Sequence, residues 1–142
     1  MPSFTIAHPD LQGMGPVVDV GLSVPLALED QLRRAGESLP QPIQLQSMID
    51  TGATGSVIQQ GLAAQLGLKP IGVTLINTPS STNVECYEYA VRFVFPNNVV
   101  VEGTVIEAPL KGQHIQGLVG RDVLQHAVLV YIGYAGQFTL SF

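Results

Sequence analysis

Between Cys86 and Phe95 every second residue is large and apolar (Tyr87, Tyr89, Val91, Phe93 and Phe95), while the interleaved Cys86, Glu88, Ala90, Arg92 and Val94 are mixed. A period of two places the first set on one side of a β-strand, against a core. Pro96-Asn97-Asn98 breaks the run as a turn, and Val99 to Glu107 resumes it as a hairpin partner. The same pattern predicts strands over Gly15–Val24, Pro42–Ile49, Ile71–Asn77, Ala127–Ile132 and Gln137–Phe142, with Gly133 and Gly136 in a tight connection between the last two. Helical patterns are short. Gln59 to Leu68 groups Leu62, Ala63 and Leu66 on one face and stops at Gly67. Leu26 to Ala35 ends at Gly36 and carries Arg33 and Arg34 near its C-terminus, where the helix dipole favours cations. Gly36 to Pro42 reads as a surface connection. The predicted fold class is all-β, with short helices inserted between strands.

Composition narrows the function classes. A chain of 142 residues has the length of one domain, here residues 1–142. Its 46% hydrophobic and 12% charged residues exclude disorder and suggest apolar surface that a partner covers. Six scattered basic residues and a net charge of −5 leave no basic face, so nucleic acid is not expected as a partner. Cys86 is the single cysteine, which excludes an intrachain disulfide and a cysteine-based zinc site; it is expected as a small buried apolar residue. His8, His114 and His126 have no ligand spacing, so neither a metal nor a cofactor is expected. The first twenty residues lack a basic segment followed by an apolar one, and no run approaches the ~20 apolar residues of a membrane span. A cytoplasmic protein with no membrane partner is the resulting expectation.

Two segments carry the candidate chemistry. Met48-Ile49-Asp50-Thr51-Gly52-Ala53-Thr54-Gly55-Ser56-Val57-Ile58 closes a strand with two apolar residues and places an acid at its end. The glycine that follows lets backbone amides approach the carboxylate closely. On its own, Asp50-Thr51-Gly52 fits equally an aspartate opening a turn, its oxygens on nearby amides. Far downstream stands Ile115-Gln116-Gly117-Leu118-Val119-Gly120-Arg121-Asp122-Val123-Leu124. Together, in this order and spacing, the two segments resemble the retropepsin-like aspartic proteases, single-domain relatives of pepsin. The likeness spans about residues 42 to 142, and Gly136 to Phe142 is similar to the family's C-terminal interface strand.

The resemblance implies a closed β-barrel of acid-protease type, assembled as a homodimer that cleaves peptide or protein substrates. Hydrolysis in that family needs two carboxylates gripping one water and sharing one proton. This chain has one Asp-Thr-Gly, and Asp10, Asp19, Asp30 and Asp122 lack that context. The catalytic pair is then Asp50 from each of two subunits on a two-fold axis. By the same resemblance Thr51 ties the two loops together, Gly52 offers backbone groups to substrate, and Ala53 supports the site. Phe138–Phe142 is expected to pair with residues near Ser3–Ile6. Gly120, Arg121 and Asp122 have the structural role of anchoring a short helix behind the loop. Thr54 and Gly55 depart from the acidic residues of the viral enzymes, which leaves Arg121 without its familiar partner. Asn77–Asn83 is the candidate flap, with Thr78, Pro79 and Ser80 at a tip that is not glycine-rich. Residues 26–42 read as an insertion before the active-site strand.

Ala53 cannot donate the hydrogen bond that a serine there would offer to the carboxylates, so a mildly acidic pH optimum is expected. An Ala53→Ser variant should move the pH–rate profile toward acid. A second function class remains open, a non-catalytic dimer that keeps the fold as a peptide-binding or scaffold module. A phosphoaspartate nucleophile is disfavoured, since the chain has no downstream acidic pair and only Lys69 and Lys111 as lysines.

Overall fold

The protein is described by a computed structural model covering residues 1–142. A seven-stranded sheet is built from β2 (Val17–Ser23), β3 (Ile43–Ile49), β4 (Val57–Gln59), β5 (Gly72–Thr78), β6 (Ser81–Phe95), β7 (Val99–Ala108) and β8 (Gly117–Val119). Its order is β2-β3-β8-β4-β7-β6-β5, and β2 also pairs with β6. A smaller antiparallel sheet joins β1 (Ser3–Ala7), β10 (Gln137–Ser141) and β9 (Val128–Ile132) in that order. Four short helices complete the chain: α1 (Leu11–Met14), α2 (Leu26–Arg34), α3 (Leu62–Gln65) and α4 (Arg121–Leu124). The all-β expectation holds. No helix is long and apolar enough to cross a membrane.

The β6–β7 hairpin forms as the alternation predicts. Tyr89, Val91, Phe93 and Phe95 are buried, and Phe95 pairs with Val99 across the turn. Asn97 and Asn98 take φ of 62° and 56°, a left-handed conformation that asparagine tolerates better than most side chains. Tyr87 breaks the predicted pattern, being 56% exposed while Cys86 beside it is buried. The reason lies in the pairing. β6 leaves β7 at Glu88, opposite Ile106, and from Tyr87 back to Ser81 it pairs with β5 alone. That two-stranded arm projects beyond the core, so the side that faced inward no longer does. Burial pushes the Cys86 thiol above its ordinary range.

The predicted helix over Gln59–Leu68 is shorter than its pattern. Gln59 belongs to β4, opposite Ala108 on β7, and Gly61 at φ 93° turns the chain before α3 begins. The turn at Gly133–Gly136 forms as expected, with Gly136 left-handed at φ 64°. The predicted pairing of the two chain ends is present within one chain, with Ser3 opposite Ser141 and Ile6 opposite Phe138. The smaller sheet is fastened to the larger one through aromatic rings. Phe4 stacks on Phe95 at 6.1 Å and Phe142 meets Phe95 at 5.5 Å. Such pairs add to the burial of a core that already includes Phe4, Val20, Leu22, Leu45, Ile49, Phe95, Phe138 and Leu140.

α2 is held to the sheet by charge. Glu29 bonds Arg33 at 2.7 Å and Arg92 of β6 at 2.5 Å, and the Leu26 amide donates to Glu102 Oε1 at 2.7 Å. The Arg92 hydrogen bond, then that of Arg33, holds the Glu29 carboxyl below its usual range. A lowered carboxyl contributes stability above its unfolded pKa and loses it as pH falls through the folded value. Glu29→Gln should therefore lower the thermal midpoint at neutral pH. The gap from wild type should close as the solution is acidified below the carboxylate range. A gap unchanged between neutral and acid pH would contradict the ion-pair account.

Candidate active site

The site is assembled where β3 and β8 end side by side. The two run parallel, with Ser47, Met48 and Ile49 opposite Gly117, Leu118 and Val119. Their ladder continues one step, since the Asp50 amide donates to the Val119 carbonyl at 2.9 Å. Asp50 is thus fixed by the sheet at its backbone and leaves it with the side chain half-buried. One carboxylate oxygen, Oδ1, accepts the Gly52 amide at 2.9 Å. A Cβ at Gly52 would lie 3.1 Å from that oxygen, so the missing side chain is what allows the close approach. Oδ2 takes no hydrogen bond from the protein and is free to hold a water or a substrate group. Thr51 is exposed, and its hydroxyl has no partner within the chain.

Behind the loop, the second motif locks it in place. Gly120 meets the loop backbone, and Arg121 opens α4 with its amide on the Ala53 carbonyl at 2.9 Å. The Arg121 guanidinium donates to the Thr51 carbonyl at 2.9 Å and to Thr54 Oγ1 at 3.2 Å. Arg121 is therefore not left without a partner: the threonine that replaces the expected acid takes its place. Asp122 accepts from the Ser56 hydroxyl at 2.8 Å, the Ser56 amide at 3.1 Å and the Val123 amide at 2.9 Å. The Ser56 oxygen in turn accepts the Gly120 amide at 3.0 Å. Ser56 is a residue that sequence reasoning passed over. Its only signal is a hydroxyl set immediately before the apolar pair Val57-Ile58, and its partner lies 66 positions away.

The remaining aspartates offer no second carboxylate beside Asp50 in one chain. Asp122 is consumed by its three donors, Asp10 caps α1 through Gly13, and Asp19 and Asp30 are exposed on β2 and α2. The flap candidate is the tip of the β5–β6 arm, with Pro79 and Ser80 exposed and the Thr78 hydroxyl donating to the Ser81 carbonyl at 3.3 Å. The Asn83 amide reaches back to Asn77 Oδ1 at 3.1 Å, which closes the arm across its tip. Between arm and loop lies a cleft of about 630 Å³, bounded by Ala53 to Val57 on one side and Thr74 to Asn77 on the other. No three His, Cys, Asp or Glu side chains are grouped to hold a metal ion. His8 accepts the Asp10 amide, and His114 bonds the Met14 carbonyl.

The fold is similar to that of a retropepsin-like aspartic protease from Rickettsia conorii, with a TM-score of 0.56 and 14% identity, covering 98% of this chain and 90% of that one. The retroviral protease-like domain of Ddi1 from Leishmania major gives a TM-score of 0.42 and 12% identity, over 81% of this chain and 80% of that one. No curated protein matches the chain in sequence. A family model described as aspartyl protease matches residues 41–123, a span that holds the first motif, all of the second but its last residue, and more than half of the chain. The chain belongs to the aspartyl protease family.

Proposed function

We propose that this chain is an aspartic endopeptidase that works as a homodimer, its water held between two Asp50 carboxylates, one from each copy. The observation that carries the reading is the half-built site: one strand-end carboxylate, held by the Gly52 amide at 2.9 Å, with its second oxygen unpartnered. One ionised member takes a proton from water while the protonated member polarises the scissile carbonyl, so a single carboxylate cannot serve. The free Thr51 hydroxyl agrees with a partner loop lying across it. Val128, Val130 and Tyr131 on β9, with Tyr134 in the turn that follows it, leave exposed apolar side chains at the three-stranded sheet that a second copy would cover. The β2–β6 pairing supports a closed barrel as the unit of each half. In this reading the β5–β6 arm is the flap, Thr78, Pro79 and Ser80 contact substrate, and Gly120, Arg121 and Asp122 position the loop. Residues 26–42 are an addition to a single protease unit spanning 1–142.

The test is incubation of the purified protein with a mixed peptide library at mildly acidic pH, with and without a statine-type transition-state mimic. Cleavage that the mimic blocks is expected. Peptides that bind without being cut would point instead to a dimeric binding module.

A further inference from the structure

The cleft beside the Asp50 loop exposes more apolar than polar surface, and Ile76 of β5 and Ile106 of β7 line it together with Thr54 and Gly55. Its volume of about 630 Å³ falls within the range of small-ligand sites, roughly 300–1,000 Å³. Two carboxylates line it, and they differ. Asp122 is engaged by three protein donors and has little left to offer. Glu88 is half-buried on β6, and its Oε1 accepts only the Thr74 hydroxyl. Its Oε2 takes no hydrogen bond from the protein. Both ion pairs of the chain belong to Glu29, and no Lys, Arg or His lines the cleft.

The strand pairing explains why the carboxylate stands there. Glu88 lies opposite Gly72, where a Cβ would come within 3.1 Å of Oε2. Glycine therefore leaves room for the acid, and Thr74, two residues along the same face, fixes its direction. We propose that Glu88 selects peptides that place an Arg or Lys side chain in this cleft. The proposal rests on the peptidase reading and names its substrate class. The cationic head pairs with a carboxylate already held in place, and the aliphatic stem lies along Ile76, on the same face of β5 as Thr74, and Ile106, opposite Glu88 on β7. A net charge of −5 adds attraction of the same sign.

Peptide pairs that differ only in Arg against citrulline, or Lys against norleucine, at each position near the cleaved bond test this. The readout is the ratio of kcat/KM within a pair. Wild type should favour the charged member at one position by about tenfold or more, as hydrogen bonds to charged groups do. Glu88→Gln should collapse that ratio, and Glu88→Lys should turn the preference toward a Glu-bearing peptide. A ratio near one in wild type, or one that survives in Glu88→Gln, overturns the proposal. Fluorescence anisotropy with the same peptides on Asp50→Asn protein reads the cleft without catalysis. Glu88-dependent binding with no cleavage by wild type would uphold the subsite and remove the peptidase reading. Cleavage without Glu88-dependent preference would do the reverse.

Discussion

Replacing Asp50 with Asn is expected to end peptide hydrolysis and leave the fold intact. The amide matches the carboxylate in size, and its oxygen still accepts the Gly52 amide, which now stands at 2.9 Å from Oδ1. What the variant loses is the ability to take or share a proton. Two neutral amides facing one another cannot activate a water. General acid–base catalysis contributes roughly 10²–10⁴-fold, so a loss of about 10³-fold or more in kcat is expected. Because the side chain is half-buried and held by a single bond, stability should stay within about 0.5 kcal/mol of wild type. Chemical denaturation beside single-turnover kinetics checks both halves. Retained hydrolysis would place the chemistry elsewhere.

Gly120→Ala should damage both stability and activity strongly. Its φ of −91° is ordinary, so the backbone is not strained and the objection is steric. A Cβ there would lie 2.6 Å from both the carbonyl carbon and oxygen of Gly55, and 3.0 Å from the Ala53 carbonyl oxygen. These are backbone atoms of the loop that carries Asp50, and the loop is pinned by Ser56, Asp122 and Arg121. It cannot yield without breaking those bonds. A cost of about 3 kcal/mol or more is expected, with activity falling as the loop moves. Gly117→Ala is the control. Its nearest obstacle, at 2.6 Å, is the Ser47 hydroxyl, a side-chain atom that can rotate away. Equal losses at the two positions would contradict this account of how the loop is held.

The local parts of this architecture are readable in the sequence. Alternation over Tyr89–Phe95, the Pro96-Asn97-Asn98 turn and the arm tip near Pro79 each depend on a few adjacent residues, and each forms where expected. The two motifs were visible as well, because each carries its own glycines and apolar pairs. Contacts between distant segments were not. The Ser56–Asp122 bond joins residues 66 positions apart, and nothing in either segment names its partner. Tyr87 was misplaced because a periodic pattern cannot show where β7 stops supporting β6. Glu88 read as one polar residue on the mixed side of a strand. Its isolation from any cation exists only once Gly72 and Thr74 are set against it.

The claim that one chain holds half of a catalytic pair is tested most directly by mixing. Wild type and Asp50→Asn are unfolded together in equal amounts, refolded, and assayed against the same total of refolded wild type. If hydrolysis requires Asp50 from both copies, random pairing leaves about one quarter of the wild-type rate. A rate near one half would mean that each chain works alone, and the shared site would have to be given up.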